Sequence, residues 1–462
     1  MNRYCSAHVP VVVVGGGACG LTAALAARDS GAGVVVLERD ALPAGSTALS
    51  SGFIPAAGTR WQRALGIVDS PAAMAADIMA QNQHGADAAV VDAVCRRAAP
   101  TLEWLADAHA LTIVLIEGFR YPGHSALRMH AVAQRSGVAL MGALTTACER
   151  AGIDVMTQAK VSDLFAEADG RIRGVAFLRP DGTRETIDCD ALVLASSGFG
   201  GNRALVRAHL PEIADALYFG HVGNQGDALR WGVAMGAAVA DLTAYQGHGS
   251  IATPHNILLT WALMMEGGIQ VNREGRRFSN EHAGYSEQCL PVLAQPGGVA
   301  WCIYDASLHA LGLDFDDYRT ALAAGAIYRA GSATSLADAI GVPAAALAAT
   351  LAEGERYAAG AVADPFGRDF TTKPPLAPSY FAAQVTAALL HTQGGLVVDD
   401  QARVLRNDGT ALPNLFAGGG AARGISGARV SGYLSGNGLL TAVALGRIAG
   451  INAAAAVATV MQ

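Results

Sequence analysis

The chain has 462 residues, of which 52% are hydrophobic, 15% are charged and 55 are glycine. This length exceeds the usual size of a single hydrophobic core, and the composition suits a large buried α/β core with many tight turns, which excludes a disordered or fibrous protein. The net charge of −7 comes without any basic run. Nucleic acid is therefore not expected as a partner.

The N-terminal pattern predicts a β–α–β unit. The run Val11–Val14 is β-branched throughout, as in a buried parallel strand, and the motif G-x-G-x-x-G follows it directly over residues 15–20. Residues 21–28 then have a helical pattern, and a second apolar run, Val34–Leu37, ends at Glu38. This succession is typical of the strand, turn, helix and strand that bind a dinucleotide.

Each part of this motif has a physical reason. Gly15 permits the tight turn, Gly17 lets the backbone approach a pyrophosphate, and Gly20 lets the helix pack closely on the strand. The helix N-terminus offers free N–H groups and the positive end of its dipole to that pyrophosphate. Glu38 can accept hydrogen bonds from ribose hydroxyls. The unit by itself predicts a dinucleotide site and does not separate FAD from NAD.

Two apolar stretches have the length of a membrane-spanning helix. The first, Val9–Ala27, follows Arg3 as in a signal peptide, but the three glycines at 15–17 interrupt it. The second, Leu439–Gln462, is Ala-rich and carries only Arg447 as a charge, which favours a packed terminal helix. We expect no integral membrane segment and a cytoplasmic protein.

The seven cysteines have no C-x-x-C spacing and are odd in number, which indicates a reducing compartment without a disulfide framework or a structural metal site. They are Cys5, Cys19, Cys95, Cys148, Cys189, Cys289 and Cys302.

Further motifs carry a resemblance to a known superfamily. A small polar loop, G-S-T-A-L-S-S-G, occupies residues 45–52, and an apolar run at 192–195 leads into the turn S-S-G-F-G-G. The stretch V-N-R-E-G-R-R-F-S-N-E covers residues 271–281, and N-L-F-A-G-G-G covers residues 414–420. Together with the first motif, these stretches resemble the fumarate reductase and succinate dehydrogenase flavoprotein superfamily, in the order found there.

The resemblance implies an α/β fold with a Rossmann-like FAD-binding domain that is split in sequence. Its first part would span residues 1–235 and its second part residues 375–462. Residues 236–374 would form an inserted α+β capping domain that binds substrate. The covalent flavin histidine of the superfamily has no counterpart in the 45–52 loop, so FAD should be bound noncovalently.

The resemblance also implies which positions hold FAD. They lie in the first motif, the 45–52 loop, the two later turns and the start of the C-terminal helix: Gly15, Gly17, Ala18, Gly20, Glu38, Arg39, Ser46, Thr47, Ser50, Ser51, Gly52, Ser197, Gly198, Gly419, Gly420, Asn437, Leu439 and Leu440.

Two tyrosines stand where superfamily members that act on dicarboxylates keep arginines. Tyr285 follows the R-F-S-N-E stretch, and Tyr433 lies in G-Y-L-S-G-N. A guanidinium is permanently charged and binds a carboxylate through two bonds, whereas a tyrosine is neutral near pH 7 and offers one hydroxyl. The exchange predicts a pocket for a neutral carbonyl. The 3-ketosteroid dehydrogenases of the superfamily also have tyrosines at these two positions.

That resemblance implies a mechanism. Tyr285 would take the proton α to a carbonyl, while Tyr433 and a backbone N–H close to Asn437 would polarise the carbonyl oxygen, and flavin N5 would accept hydride from the β carbon. A tyrosinate base needs a pKa well below the phenol reference of ~10, which requires nearby positive charge or strong hydrogen bonds. His282 or His391 is expected to supply that help.

Several further residues are expected near the substrate. His391 lies in H-T-Q-G-G, where the dicarboxylate enzymes keep a substrate-binding histidine, and it is a third expected catalytic residue. Tyr121, His248 and Asn437 are expected to contact the substrate, with Tyr121 in a polar loop that also carries Arg128. A structural role for each of these side chains remains the alternative.

The leading prediction is therefore an FAD-dependent oxidoreductase that desaturates a CH–CH bond next to the carbonyl of a small cyclic or steroid-like ketone, or of a keto acid if Arg429 points inward. One alternative is the same chemistry in reverse, an enone reductase. Another is an enzyme like fumarate reductase or tricarballylate dehydrogenase, with His391, Arg128 or Arg429 as its anion site. A third is a silent FAD-binding protein. The expected partners are the small-molecule substrate and an electron acceptor, either a quinone, an electron-transfer protein or oxygen.

Overall fold

The computed structural model describes residues 7–460, so Arg3 and Cys5 lie outside the described part of the chain. The chain divides into two compact units. The first unit takes the described residues of 1–210, 220–245 and 391–462, and the second takes Pro211–Phe219 and Gln246–Leu390. The expected cap of residues 236–374 overlaps the second unit over residues 246–374. Residues 375–390 group with the second unit because a long strand there pairs within its sheet.

The strands are, in chain order, β1 (Val11–Val14), β2 (Val34–Leu37), β3 (Ile54–Pro55), β4 (Ile113–Leu115), β5 (Met129–Val132), β6 (Asp154–Met156), β7 (Lys160–Ala166), β8 (Ile172–Leu178), β9 (Arg184–Asp188), β10 (Ala191–Leu194), β11 (Leu217–Tyr218), β12 (Val239–Ala240), β13 (Tyr245–Ala252), β14 (Ile257–Leu258), β15 (Ile269–Val271), β16 (Val299–Asp305), β17 (Ile327–Ala330), β18 (Tyr380–Thr392), β19 (Gly395–Leu396), β20 (Arg403–Leu405) and β21 (Ala411–Ala417).

The α-helices are α1 (Ala18–Asp29), α2 (Gly45–Ala48), α3 (Arg60–Ala64), α4 (Pro71–Gln81), α5 (Ala88–His109), α6 (Gly137–Arg150), α7 (Arg203–His209), α8 (Asp227–Ala234), α9 (Ala262–Met265), α10 (Cys289–Leu293), α11 (Ala306–Gly312), α12 (Asp316–Ala323), α13 (Ala333–Ile340), α14 (Ala344–Ala358) and α15 (Asn437–Val460).

The first unit is built on a six-stranded sheet in the order β20-β21-β10-β1-β2-β6. All neighbours from β21 to β6 are parallel, and β20 pairs antiparallel at one edge. The four valines of β1 are buried, as expected for a central parallel strand covered on both faces. The turn between β1 and α1 lies at the carboxyl end of this sheet, where α/β folds bind nucleotides. This arrangement confirms the α/β, Rossmann-like prediction.

The second unit has a seven-stranded sheet with the central order β14-β13-β18-β16-β15, and β11 and β17 also pair with β18. Helices α13 and α14 bury Leu336 and Leu347 in a cluster with Val271 and Ile303 of the sheet. Helix α13 has a Ser332 capping box at its N-terminus. A mixed sheet with helices packed on it makes this unit α+β.

The C-terminal helix is the one described helix that is long and apolar enough to cross a membrane, over Asn437–Ala458, with a mean hydropathy of 1.6. Most of that window, 72%, is buried inside the protein. Gly446 of α15 lies so close to α1 that a Cβ there would stand 2.5 Å from the carbonyl oxygen of Cys19. Core packing on α1 therefore accounts for the hydropathy of this helix.

Candidate active site and cofactor site

The glycine turn after β1 has the shape that a pyrophosphate needs. Gly15 has a φ of 105°, and a Cβ on Gly20 would overlap with the Gly15 carbonyl oxygen, so both positions require glycine. A Cβ on Gly17 would meet only Thr47 Oγ1, at 3.8 Å, and otherwise points into open space. The Ala18 N–H donates to that hydroxyl at 3.3 Å, and α1 has no side-chain N-cap. The open space beside Gly17 and the helix N-terminus fit a phosphate group.

Glu38 is held beside the turn by two backbone amides. Its Oε2 accepts from the Gly16 N–H at 2.7 Å, and its Oε1 accepts from the Asp40 N–H at 2.9 Å. Each carboxylate oxygen keeps a second lone pair, which suits the ribose hydroxyls of a dinucleotide. Arg39 donates to the Gly223 carbonyl at 2.8 Å, so its guanidinium joins β2 to the 220–225 segment of the same unit.

The expected 45–52 loop begins with the short helix α2. Ser46 Oγ accepts from the His221 N–H and the Asn224 side chain, and Ser50 Oγ donates to the Thr47 carbonyl and accepts from the Gly52 N–H. These two hydroxyls therefore order the loop, and Ser51 lies beside them half-buried. Small residues with strong local hydrogen bonding explain the helical turn.

The turns after β10 and β21 pack against each other. A Cβ on Gly198 would overlap with Thr392 Oγ1, and a Cβ on Gly420 would lie 2.9 Å from the Gly198 nitrogen. Ser197 has a φ of 64° and Gly419 has a φ of 57°, so both turns are tight. This close approach leaves the backbone of both turns without intervening side chains, as a planar cofactor would need.

Two buried polar atoms near these turns have no hydrogen-bond partner among the described residues, Ser196 Oγ and Asn437 Oδ1. Buried polar atoms are normally satisfied, so each points to a missing ligand group. At the start of α15, Leu439 is partly buried, whereas Leu440 is fully buried in the core and its N–H donates to the Gly436 carbonyl. Together with the glycine turn, these atoms fit bound FAD.

In the second unit, His248 of β13 stacks on Tyr285, with ring centroids 4.8 Å apart and an interplanar angle of 22°. The backbone around them is closely held, because the Gly249 N–H donates to the Tyr285 carbonyl and the Gly247 N–H donates to Ser286 Oγ. His248 Nδ1 accepts from the Ser250 N–H at 3.1 Å. Burial lowers the pKa of His248 to about 3, so the imidazole is neutral with its proton on Nε2.

Tyr285 follows a short 3₁₀ segment, Glu281–Ala283, whose first residue is fixed by buried ion pairs. Glu281 accepts from Arg277 at 2.7 Å and from Arg368 at 3.1 Å. Burial raises the pKa of Glu281, but the bonds and charge of Arg277, followed by the charge of Arg368, outweigh it and leave the pKa below its usual value. This ionic network anchors the segment that carries Tyr285.

Of the two forms of help expected from His282 or His391, positive charge and hydrogen bonding, burial disfavours the first. His282 contacts the Met264 carbonyl through Nε2, and burial followed by the charge of Arg368 lowers its pKa to about 4. Burial likewise lowers the pKa of His391 to about 4. Both imidazoles are therefore neutral near pH 7 and can act on a phenol only through hydrogen bonds.

In the first unit, His391 makes an edge contact with Tyr433, with ring centroids 5.8 Å apart. The Gly438 N–H, in the first turn of α15, donates to the Tyr433 hydroxyl at 3.4 Å. A Cβ on Gly438 would lie 2.7 Å from His391 Nε2 and 3.5 Å from the Tyr433 hydroxyl. The imidazole and the phenol therefore lie against the first turn of α15, where a side chain at position 438 would clash with His391. Gly438 directly follows Asn437, so its N–H is the candidate for the backbone amide expected there.

Aromatic side chains surround Tyr433. Burial, followed by interaction with Tyr433, raises the pKa of Tyr121 above its usual value, which places the two phenols near each other. Phe119 contacts Tyr121 edge-on at 5.1 Å, and Phe53 lies 6.2 Å from Phe119. His124 of the same loop is bonded to the Ser435 carbonyl, and burial lowers its pKa to about 4. The aromatic residues near Tyr433 are therefore largely buried, and His124 is neutral near pH 7.

Neither arginine that was expected as an alternative anion site is available. Arg128 is fully buried and bonded to Asp69 at 3.0 Å and to Asp77 at 2.6 Å. Arg429 is exposed and donates to Gln83 Oε1 at 3.3 Å, so it does not point inward. The condition on which a keto acid was expected, an inward Arg429, is therefore not met.

Sequence reasoning expected an amide close to Asn437 without naming Gly438, and it missed two polar residues in the first unit. Gln393 donates to His391 Nδ1 at 2.9 Å, and Ser426 Oγ donates to Gln393 Oε1 at 2.9 Å. Gln393 lies two positions after His391 in H-T-Q-G-G, so the sequence could have predicted that the two side chains are close. No sequence pattern could have predicted Ser426, because only tertiary packing brings it to Gln393.

Comparison with known proteins agrees with these observations. The model of the family described as FAD binding domain matches residues 10–439. The chain is 29% identical to "Fumarate reductase (cytochrome)" of Shewanella frigidimarina, covering 96% of this chain and 77% of the relative. It is also 29% identical to "4-oxocyclohex-2-ene-1-carboxylate 5-dehydrogenase" of Sinomonas cyclohexanicum, over 65% of this chain and 57% of that protein.

The fold also matches a solved structure along its whole length. The 3-ketosteroid delta1-dehydrogenase from Sterolibacterium denitrificans aligns with a TM-score of 0.77 and 22% identity, covering 97% of this chain and 100% of that one. The prediction of a superfamily that includes fumarate reductases and ketosteroid dehydrogenases is confirmed. The chain belongs to the FAD binding domain family of the fumarate reductase and succinate dehydrogenase flavoprotein superfamily, and it is an FAD-dependent oxidoreductase of CH–CH bonds.

Proposed function

We propose that this enzyme desaturates a small cyclic or steroid-like ketone at the carbon–carbon bond next to the carbonyl. One observation carries the proposal: the Tyr433 hydroxyl, the Gly438 N–H and the neutral His391 ring lie together at the start of α15. Such a cluster of donors without a permanent charge suits a carbonyl oxygen that becomes negative during the reaction. Tyr433 and His391 are catalytic residues in this proposal.

Each residue near the substrate has its own role in the proposed reaction. Tyr433 and the Gly438 amide hold the carbonyl oxygen and so acidify the α C–H bond, and Tyr285 removes the α proton. Bound FAD supplies the acceptor for the hydride that leaves the β carbon. His248 stacks on the Tyr285 ring and fixes its plane. Tyr121 and Asn437 contribute to the substrate's surroundings, with Tyr121 on the side of Tyr433.

The two histidine–tyrosine pairs, His248 with Tyr285 and His391 with Tyr433, carry no positive charge, which favours a ketone over a dicarboxylate. His248 and His391 are both neutral near pH 7, and Arg128 already has two carboxylate partners. A carboxylate held without a fixed cation would lose most of the energy that a bidentate arginine provides. The relative that acts on a 4-oxocyclohexene carboxylate supports a cyclic ketone, and a carboxylate elsewhere on the ring is compatible with the proposal.

A second candidate is the reduction of an activated double bond, either of an enone or of a fumarate-like carboxylate. The similarity to the fumarate reductase of Shewanella frigidimarina over 96% of the chain favours it. In that reaction Tyr285 would donate the proton that it removes in the forward direction. The electron acceptor or donor would be a quinone, an electron-transfer protein or, for the desaturase, oxygen.

Anaerobic flavin spectroscopy distinguishes these candidates. The oxidised enzyme is mixed with cyclohexanone, 4-oxocyclohexanecarboxylate, a saturated 3-ketosteroid and succinate, and the reduced enzyme with cyclohexenone and fumarate. We expect a ketone to bleach the flavin and succinate to leave it oxidised. Bleaching by succinate, or reoxidation by fumarate and not by cyclohexenone, would replace the ketone by a dicarboxylate. We also propose that FAD is noncovalent, so denaturation should release it into the supernatant.

A further inference from the structure

A chain of side-chain hydrogen bonds ends on His391. Asn437 Nδ2 donates to Ser426 Oγ at 3.1 Å, Ser426 Oγ donates to Gln393 Oε1 at 2.9 Å, and Gln393 Nε2 contacts His391 Nδ1 at 2.9 Å. Asn437, Ser426 and Gln393 are all buried. All four residues belong to the first unit. Bonds in such a chain polarise one another in the same direction.

The direction of the chain sets the tautomer of His391. Because the Gln393 oxygen accepts from Ser426, its amide nitrogen faces Nδ1 and donates to it, which requires a lone pair on Nδ1. A longer contact of 3.3 Å joins Nδ1 to the Thr392 carbonyl, and the shorter bond from Gln393 decides the assignment. The neutral ring then carries its proton on Nε2, the atom that faces the space beside Gly438.

The backbone holds Gln393 in place. Its N–H donates to the Ala244 carbonyl at 2.8 Å, and its carbonyl accepts from the Gly424 N–H at 2.8 Å. A Cβ on Gly424 would lie 2.8 Å from Gln393 Oε1, so this side of the amide is closely packed. With its backbone and its oxygen both fixed, Gln393 is preorganised to present its N–H to the imidazole.

We propose that Gln393 is a positioning residue that keeps His391 as the Nε2–H tautomer, so that the imidazole becomes a third donor to the substrate carbonyl oxygen beside Tyr433 and Gly438. The inference rests on the proposed function, because it assigns the converging donors to a carbonyl that becomes an enolate. It adds a specificity: the pocket should bind a single anionic oxygen of a phenolate or enolate in preference to a carboxylate.

The tautomer can be measured without turnover. Nitrogen-15 NMR of the histidine-labelled holoenzyme, with His391→Gln used to assign the signal, should show Nε2 protonated and Nδ1 unprotonated. In Gln393→Glu the new carboxylate accepts from Nδ1–H, so at pH 9 the protonated nitrogen should change to Nδ1. A wild-type His391 with its proton on Nδ1, or an unchanged tautomer in Gln393→Glu, would overturn the inference.

Binding of para-substituted phenols, whose ionised oxygen resembles an enolate, gives an independent readout. Losing one donor to a charged oxygen should weaken phenolate binding about 10- to 100-fold in Gln393→Glu at pH 9. Because the carboxylate favours the imidazolium, which donates from both nitrogens, affinity should recover as the pH falls toward 6. Gln393→Met, which neither donates nor accepts, should show a smaller loss and no recovery.

Other titrating groups cancel in this comparison. The titratable and charged groups on the segments around His391 include Tyr433, Tyr121, Tyr218 and the Arg423–Asp241 ion pair, and all are the same in every variant. A loss of equal size at pH 9 and pH 6 would overturn the tautomer argument. Failure of the proposed function gives a different result. If the wild-type enzyme has the Nε2–H tautomer but does not bind phenolates, the ketone site is contradicted and the tautomer assignment stands.

Discussion

The Tyr433 hydroxyl and the Gly438 amide, 3.4 Å apart, meet at the N-terminus of a long helix. A phenol here can hold a carbonyl oxygen without adding a net charge to the site. We expect Tyr433→Phe to slow flavin reduction by a ketone at least ~100-fold, the usual cost of losing one oxyanion donor. Stopped-flow absorbance measures this rate. FAD content should stay at the wild-type level, and an undiminished rate would show that the carbonyl is held elsewhere.

Gly17 gives a test of the cofactor site. A Cβ there meets only Thr47 Oγ1, at 3.8 Å, so Gly17→Val should fold normally while its side chain fills the space for the pyrophosphate. We expect the purified variant to be colourless, with wild-type circular dichroism. Absorbance at the flavin band measures occupancy. A yellow Gly17→Val protein with full occupancy would place the pyrophosphate away from this turn.

At the scale of elements, Arg128 ties β5 to the start of α4 through Asp69 and Asp77. Removing one partner of a buried ion pair leaves uncompensated charge, so Arg128→Met should lower the free energy of unfolding by about 3–5 kcal/mol. Urea titration measures this change. Arg429→Met removes an exposed guanidinium and is the matched control, expected within about 0.5 kcal/mol of wild type. If Arg128→Met were as stable as wild type, the ion pairs would not be needed for folding, and the wild-type guanidinium could serve a ligand instead.

The sequence predicted those elements whose signals are local. The valines of β1, the glycines at 15, 17 and 20 and the acid at 38 lie within one continuous stretch, and the structure places them as expected because strand, turn and helix preferences act over a few residues. The helical turn α2 was not expected. Its one serine, Ser46, bonds to His221 and Asn224, and no local pattern reveals these long-range partners.

The site was predicted less completely for the same reason. Tyr433 and His391 were named from their motifs, but their common orientation toward Gly438 depends on how β18 and α15 pack. The sequence also left open whether His391 and His282 are charged, because burial lowers both pKa values to about 4 and burial cannot be deduced from neighbouring residues in the sequence.

At the scale of the whole molecule, several imidazoles are buried in their neutral form. Burial lowers the pKa of His124, His130 and His391 to about 4 and that of His248 to about 3. Between pH 6.5 and about 4 the unfolded chain therefore binds more protons than the folded chain. The free energy of unfolding that the neutral imidazoles contribute is fully present above pH 6.5. It is lost as the pH falls, by about 1.4 kcal/mol per pH unit for each imidazole.

We therefore expect the urea midpoint of the FAD-saturated protein to be clearly lower at pH 5 than at pH 7.5. His130→Gln should reduce this difference, because its ring is bonded to Thr59 and to the Arg128 carbonyl in the neutral form. His255→Gln, at an exposed position, is the control that should leave the difference unchanged. Equal midpoints at the two pH values would mean that these imidazoles are charged in the folded protein.

The central claim is that Tyr285 removes the proton α to a ketone. Tyr285→Phe keeps the ring that stacks on His248 and removes only the hydroxyl, while Tyr328→Phe, at an exposed tyrosine of the same unit, is the matched control. The direct measurement is exchange of the α hydrogen with D₂O, followed by NMR, together with anaerobic flavin bleaching by the ketone that reduces the wild type. Both should fail in Tyr285→Phe and persist in Tyr328→Phe, and the wild-type rate should rise with pH as a phenol ionises. Wild-type exchange and bleaching in Tyr285→Phe would contradict the account and make His391 the first candidate for the proton-transfer group.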